Sequence, residues 1–184
     1  MTFRRIARSS ADYPPLLQQI PDPPPSLWLR GDADPEILTR TSLAVVGARA
    51  CSTYGRGVAR SLAREASACG AVIVSGLARG IDGEAHRGAL ESAGVTIAVL
   101  GCGIDRDYPS AHAELAQRIV AAGGLVVSEY EPGIEPAPWR FPARNRKAPA
   151  TMRKRLETVA VPAVAAVKCC ARVVPVWYRM WCHH

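Results

Sequence analysis

The chain has 184 residues, of which 48% are hydrophobic and 21% charged. This size and composition suit one globular domain with its own core. The net charge of +7 is uneven, because residues 1–143 carry 14 arginines, no lysine and 15 acidic residues, whereas residues 144–184 carry nine basic residues and one acidic residue. Since the basic excess lies in the last fifth of the chain, the total charge does not by itself indicate nucleic-acid binding.

The six cysteines form no C-x-x-C pair. We therefore expect no zinc site and no disulfide framework, and a reducing cytoplasmic location. We expect no cofactor either. A metal group made of Cys169-Cys170 and Cys182-His183-His184 is an alternative, although its spacing fits no known ligand scheme. No apolar segment follows the N-terminal arginines, and the apolar run Thr158–Val167 is short and contains Pro162, so we expect neither a signal peptide nor a membrane span.

The segment Tyr13–Gly31 is dense in proline but also rich in apolar residues. Proline excludes a regular helix or a central strand throughout the segment. The apolar residues predict an ordered strap lying on the domain, with Leu27–Leu29 as an edge strand. A disordered linker is the alternative, and the apolar residues argue against it.

Beyond residue 42, short β-branched runs alternate with helical patterns. The predicted strands are Leu43–Val46, Ala71–Val74, Thr96–Leu100 and Leu125–Val127, and the predicted helices are Val58–Ala68, about Gly83–Ala93 and about Ala111–Ala121, the last capped by Ser110. This alternation predicts an α/β fold, a Rossmann-like parallel sheet with helices on both faces. Right-handed crossovers place the loops that follow the strands at one edge of the sheet.

The stretch Val72–Asp82 combines the end of a strand, a glycine-containing loop and the start of a helix. Ser75-Gly76 ends the predicted strand, Gly80 allows a sharp turn, and Asp82 is predicted as the helix N-cap. Free backbone N–H groups and the helix dipole favour an anion there, and Arg79 adds a positive charge. The alternative is a tight turn that binds no ligand.

Four loops should meet in one cleft, and they carry Arg49, Arg79, Gly101–Gly103 and Ser128-Glu129. No P-loop motif and no well-placed dinucleotide fingerprint occurs, which argues against those two kinds of nucleotide site. Asp82 and His86 lie four residues apart and suggest either a catalytic pair or a structural cap with a helix contact. We favour the structural role, because no nucleophile lies at a clear spacing.

Six segments in order resemble the DNA-processing protein A family, called DprA or Smf. They are Tyr13-Pro14 with Asp22-Pro23-Pro24, GARACSTYG at Gly47–Gly55, SGLARGIDGEAH at Ser75–His86, VLGCGIDRDYP at Val99–Pro109, SEYEPG at Ser128–Gly133 and FPARNR at Phe141–Arg146. The resemblance covers Tyr13–Arg146. It implies a Rossmann-like fold and a non-enzymatic protein that binds and protects single-stranded DNA during natural transformation, helps to load the RecA recombinase and forms homodimers.

The resemblance also assigns roles to individual residues. Arg49 is expected to hold a phosphate, Gly47 and Gly76 to let the strand approach the backbone, and Phe141 to stack on a base. Arg144 and Arg146 are expected to line the pocket, or alternatively to pair with Glu129 or Glu131, and Tyr108 is expected to pack within the fold. The full set of expected DNA-binding residues is Gly47, Arg49, Ser75, Gly76, Arg79, Gly80, Phe141, Arg144 and Arg146.

The family pattern stops after Arg146. All three lysines and half of the cysteines lie beyond that residue. We therefore expect a proline-rich strap at residues 1–42, a partial core at 43–146 and a basic tail outside the family pattern at 147–184. A frameshifted end explains the tail best, and the alternatives are a genuine variant tail or a basic helix at Thr151–Thr158. Without the later strands one sheet edge and part of the core would be uncovered and the homodimer surface would be lost. Val159–Val167 is a candidate replacement strand, but Pro162 argues against a central position for it.

Two other functions remain as alternatives. The cleft suits a nucleotide-binding or nucleoside-monophosphate-hydrolysing protein. The P-G-G-x-G-T-x-x-E loop that is typical of such enzymes is, however, absent from the chain. A truncated product without function is the other alternative, since the family pattern of the chain is incomplete.

Overall fold

The computed structural model describes residues 2–141 and the backbone of residues 158–160. The strands are β1 (Phe3–Ala7), β2 (Ser26–Arg30), β3 (Ser42–Val46), β4 (Val72–Ser75), β5 (Thr96–Gly103), β6 (Leu125–Tyr130) and β7 (Thr158–Ala160). The α-helices are α1 (Pro15–Gln18), α2 (Thr53–Ala68), α3 (Ile81–Glu91) and α4 (Ala113–Ala121), and 3-10 helices cover Pro35–Thr39 and Ser110–His112. The strands form one sheet in the order β1-β2-β6-β5-β4-β3-β7.

The α/β class is confirmed, but the sheet is mixed rather than wholly parallel. Strands β3 to β6 are parallel neighbours, as the alternation of strands and helices predicted. Strand β2 pairs antiparallel with both β6 and β1. The prediction of Leu27–Leu29 as an edge strand is therefore wrong in position, because β2 lies inside the sheet and β1 forms the edge.

The two faces of the sheet are covered by different parts of the chain. The long helices α2, α3 and α4 pack on one face through small residues such as Ala59, Ala63, Ala85 and Ala116, opposite strand residues that include Ile73. The other face is covered by the N-terminal segment. The core between this segment and the strands consists of Ile6, Tyr13, Leu17, Leu27, Leu29, Ile37, Leu38, Ala44, Val72, Val74, Ile97, Val99, Leu125 and Val127. The prediction of helices on both faces holds only for short helices, since α1 and the 3-10 helix Pro35–Thr39 contribute to this second core. Consecutive right-handed crossovers that progress in one direction along the sheet put the long helices on a single face.

Tyr13 anchors the N-terminal segment. Its side chain is 1% exposed, and its hydroxyl donates a hydrogen bond of 2.8 Å to the carbonyl of Pro24. Burial raises the pKa of Tyr13 to about 12. The segment is thus packed against the sheet, while the domain boundaries at residues 42 and 146 stay a prediction.

Two helix starts differ from the predicted ones. Helix α3 begins at Ile81 after Gly80, so the prediction of Asp82 as N-cap is wrong: Asp82 lies in the first turn and is 4% exposed. Ser110 begins a 3-10 helix and makes no capping hydrogen bond, since α4 starts only at Ala113. At both places a short turn precedes the helix, and neither helix has the side-chain cap that was expected.

Strand β7 pairs in parallel with β3 at the other edge of the sheet, with Val45 opposite Val159. The edge that was expected to be uncovered therefore carries a strand of three residues. Its position at the edge agrees with the expectation from Pro162, two residues further on. The predicted helix at Thr151–Thr158 and the cysteines and histidines of the tail lie outside the described residues.

Candidate nucleic-acid interface

The loop after β3 is an exposed turn that leads into a long helix. Residues 47–50 are exposed, and Ser52 caps α2 by accepting a hydrogen bond of 3.1 Å from the N–H of Gly55. A side chain at Gly47 would come within 2.8 Å of Ile81 Cγ1, so the loop lies directly on the start of α3. The backbone N–H groups in the first turn of α2 lack partners within the helix and favour an anion beside this loop.

The loop after β4 is locked to the loop after β3. Gly80 has φ +77°, and a Cβ there would overlap the carbonyl oxygens of Ala48 and Arg49. The N–H of Ile81 donates to the carbonyl of Ala48 at 3.3 Å. Only glycine accommodates this conformation and this close approach together. Gly80 therefore fixes where the backbone of Arg49 lies.

Two predicted site residues, Ser75 at the end of β4 and Gly76 after it, are buried within the protein. Ser75 is fully buried and donates to the carbonyl of Val45 at 2.6 Å, and Gly76 is buried as well. Arg79 is exposed. Ser75 thus joins β4 to β3 and does not face solvent, whereas Arg79 offers its charge to the outside.

An arginine and two aromatic rings form a cluster at the carboxyl edge of the sheet. The Arg49 guanidinium carbon lies 4.8 Å from the centroid of the Phe141 ring, and the centroids of Phe141 and Tyr108 are 5.5 Å apart at an interplanar angle of 30°. Gly101 makes room for Phe141, since a Cβ there would lie 2.9 Å from Phe141 Cδ1. We call Arg49, Tyr108 and Phe141 the arginine–aromatic cluster.

The loop that carries Tyr108 is held by ion pairs. Arg30 in β2 is 5% exposed and contacts Asp107 at 2.6 Å. Asp105 accepts a hydrogen bond of 2.9 Å from the N–H of Gly133, and Arg106 pairs with Glu135 at 2.7 Å. These contacts tie the loop after β5 to the loop after β6. Tyr108, expected only to pack, packs against Phe141 and also exposes 41% of its surface.

A second group of rings lies beside this cluster in the chain. The Arg140 guanidinium carbon lies 5.0 Å from the Tyr130 ring centroid and 5.9 Å from the Trp139 ring centroid. Burial and the neighbouring Glu129 raise the pKa of Tyr130 to about 12, so this phenol stays neutral at physiological pH. Trp139 is 71% exposed.

Asp82 and His86 are buried residues of α3. His86 is fully buried, its Nδ1 lies 2.7 Å from the Thr96 hydroxyl oxygen, and that hydroxyl donates to the carbonyl of Ile73 at 2.8 Å. Because the Thr96 hydrogen is used by Ile73, His86 Nδ1 is the donor to Thr96. The geometry supports the structural role, in which His86 joins α3 to two strands.

The structure brings together part of the predicted site. Gly47, Arg49, Gly80 and Phe141 meet at the carboxyl edge; Arg144 and Arg146 lie outside the described residues. Sequence reasoning missed His112, which is buried and has Nδ1 2.8 Å from the carbonyl of Leu77. It also gave no role to Trp139 and Arg140, although the run W-R-F at 139–141 was a local signal.

Within residues 2–141 no group of three or more His, Cys, Asp or Glu side chains is arranged to hold a metal ion. None of the described helices has the length and apolar character needed to cross a membrane.

Comparison with known proteins identifies the family. The family model described as DNA recombination-mediator protein A matches residues 4–162. Protein Smf of Escherichia coli K12 is 43% identical over 141 residues, and DNA processing protein DprA of Streptococcus pneumoniae R6 is 46% identical over 138 residues. These alignments cover 77% and 73% of this chain. The chain belongs to the DNA recombination-mediator protein A family, and the resemblance found in the six segments is confirmed.

Solved structures agree with this assignment. DNA processing protein A from Streptococcus pneumoniae matches with a TM-score of 0.74 and 40% identity over 82% of this chain. The protein from Helicobacter pylori, whose structure is described as giving its single-stranded DNA binding mode, matches with a TM-score of 0.69 and 33% identity, also over 82%. The matches cover 52% and 66% of those chains, and 37% and 46% of the Escherichia coli and Streptococcus pneumoniae relatives.

Proposed function

We propose that this chain binds single-stranded DNA at the carboxyl edge of its sheet, as a binding protein and not as an enzyme. The observation that carries the proposal is the arginine–aromatic cluster, in which the Arg49 guanidinium lies 4.8 Å from the Phe141 ring beside the exposed loop at residues 47–50. Proteins that hold single strands without base pairing combine cationic groups for the phosphates with rings for the bases. The cluster supplies both within one surface.

Each part of the cluster has a distinct task in this proposal. Arg49 contacts a phosphate, and the N-terminus of α2 adds backbone N–H groups beside it. Phe141 offers a ring face to a base, and Tyr108 supports that ring from the side at 5.5 Å. The exposed Arg79 adds positive charge near the locked pair of loops. Arg144 and Arg146 would extend the same surface, as the family resemblance implies.

The family membership supports a cellular role for this binding. We propose that the protein acts in the cytoplasm, protects single strands taken up in natural transformation and helps to load RecA, with homodimer formation as in the family. The Helicobacter pylori relative's described single-stranded DNA binding supports the ligand class. The chain spans less than half of its curated relatives, so these whole-protein roles rest on the family and not on the described residues.

The test is a fluorescence-anisotropy titration of a labelled oligothymidine at several salt concentrations. We expect Arg49→Ala to weaken binding about tenfold or more, because a hydrogen-bonded charge is worth about 1.5–3 kcal/mol, and to reduce the salt slope by about 1. Arg40→Ala is the matched control, since it removes an exposed arginine just before β3, at the opposite edge of the sheet. It should change binding little.

Three results would contradict the proposal. Equal losses for Arg49→Ala and Arg40→Ala would indicate a diffuse charge effect. If binding is salt-sensitive but neither substitution changes the affinity, binding would be assigned to the basic residues 144–184. Tight binding of nucleoside monophosphates that competes with the oligothymidine at equal molar concentration would favour the alternative of a nucleotide site.

A further inference from the structure

Trp139 is the most exposed of the large hydrophobic side chains in the described part of the chain, at 71%. A single exposed apolar residue is ordinary in a soluble protein and needs no ligand. Trp139 differs because it lies two residues before Phe141. Two residues span at most about 7 Å of backbone, roughly two spacings of about 3.4 Å between stacked bases.

The turn that carries Trp139 is anchored on both sides. Ala137 is 8% exposed, and its carbonyl accepts a hydrogen bond of 3.0 Å from the N–H of Arg140. The Arg140 side chain donates to the carbonyl of Glu135, and Phe141 packs against Gly101. The indole is therefore presented on a fixed backbone, so little ordering of the chain is needed when a ligand stacks on it.

Arg140 is the charged side chain that contacts the indole face. Its guanidinium carbon lies 5.9 Å from the Trp139 ring centroid and 5.0 Å from the Tyr130 ring centroid, and Glu131 and Glu135 follow β6 in the same loop. Glu135 is already paired with Arg106. What this turn offers a ligand is a broad, exposed aromatic face beside one guanidinium.

We propose that Trp139, supported by Arg140 and Tyr130, is a second base-stacking position for the single strand held at the arginine–aromatic cluster. The inference rests on the proposed function and extends it, because it lengthens the bound segment beyond the base on Phe141. The strand leaves the cluster along the turn at residues 137–141, and a following base stacks on the indole. Stacking of this kind tolerates any base, since every base has a π-face.

The experiment measures the affinity of the full chain for two labelled probes of about 16 nucleotides, within known site sizes. One is oligothymidine and the other is the same sugar-phosphate chain without bases. We expect Trp139→Ala to weaken oligothymidine binding at least about fivefold, with an unchanged salt slope, and to leave the abasic probe unaffected. Trp139→Phe keeps a ring and should retain most of the affinity. Thermal unfolding should be unchanged in both variants.

Fluorescence gives an independent readout. A base stacked on Trp139 should quench its emission, so oligothymidine should quench the wild-type chain more than Trp139→Phe. The abasic probe should quench both equally. Trp28 and the two tryptophans beyond the described residues remain in both proteins and supply the common background.

The outcomes separate this inference from the proposed function. If Arg49→Ala weakens oligothymidine binding and Trp139→Ala does not, the second stacking position is wrong and the proposed function stands. If Trp139→Ala weakens binding of both probes equally, the loss does not come from stacking on a base, and the second stacking position is wrong. If the wild-type chain binds neither probe, both proposals fail together.

Discussion

Two polar regions of the same sheet differ in what surrounds them, one near the amino ends of β4 and β5 and the other at the carboxyl edge. The first, which we call the buried polar group, joins His86 to Thr96 and the carbonyl of Ile73 under α3. The second is the arginine–aromatic cluster, in which Arg49 and Tyr108 are exposed. The sequence suggested His86 by its spacing from Asp82, with the structural role favoured, and Arg49 by its place in a loop after a strand and by the family resemblance. Burial separates them, because a fully buried imidazole with a protein partner holds the fold, whereas an exposed guanidinium beside a ring is open to a ligand.

Gly80 links the two regions, and its substitution is expected to have the largest effect. In Gly80→Ala the φ of +77° becomes strained, and the new Cβ overlaps the carbonyls of Ala48 and Arg49. Strain and overpacking each cost about 1–3 kcal/mol, so we expect a loss of about 3 kcal/mol or more in the free energy of unfolding, measured in urea.

Gly57→Ala is the control for this substitution. Gly57 lies inside α2 with no positive φ, and a Cβ added there would meet no other atom within 4 Å, so alanine should stabilise the protein by about 0.5–1 kcal/mol. If Gly80→Ala were as stable as the wild type, the two loops would not be locked together as the structure shows.

His86→Ala is expected to come next and to affect stability alone. It removes a fully buried ring and leaves the Thr96 hydroxyl oxygen without its donor, which should cost about 2–3 kcal/mol. Single-stranded DNA binding by the folded protein should be unchanged. Urea unfolding and anisotropy on the same samples make the comparison.

His86→Asn sharpens this test. An asparagine amide can present a donor near the position of Nδ1, so it should recover part of the lost stability. If His86→Ala instead abolished binding while the free energy of unfolding stayed the same, the distinction between the buried polar group and the cluster would be wrong.

The sequence predicted the parallel part of the fold because its information is local. Strands β3 to β6 are short β-branched or apolar runs bounded by glycine or serine, and burial on both faces requires such runs. Strand β1 carries Arg4 and Arg5 and shows no such run. It pairs on one side with β2, and Arg4 donates to the carbonyl of Gly31 at 2.9 Å. The partners that stabilise β1 lie far along the chain, so no local sequence pattern predicted this strand.

The site divides in the same way. Arg49 and Phe141 were predicted from motifs that each lie within a few residues. The position of Tyr108 depends on the ion pair between Arg30 and the neighbouring Asp107, which are 77 residues apart in the sequence. Ser75 was predicted at the site because it begins the family segment SGLARGIDGEAH, but the direction of its hydroxyl towards Val45 follows only from the pairing of β3 and β4.

An exposed ion pair provides the smallest expected effect and a reference for the buried polar group. Arg60 on α2 donates to Glu91 on α3 at 2.7 Å, and this contact lowers the pKa of Glu91 below its ordinary value. A carboxyl whose pKa is lower in the folded state adds stability above its unfolded pKa and loses it as the pH falls through the lowered value. Glu91→Gln should therefore reduce the Tm slightly at pH 7, and the difference from wild type should vanish in acid below that lowered pKa. Glu65→Gln, at an exposed position on α2, is the control. A Glu91→Gln effect at pH 7 as large as that of His86→Ala would show that burial does not set the strength of these contacts, contrary to the ordering expected for exposed pairs.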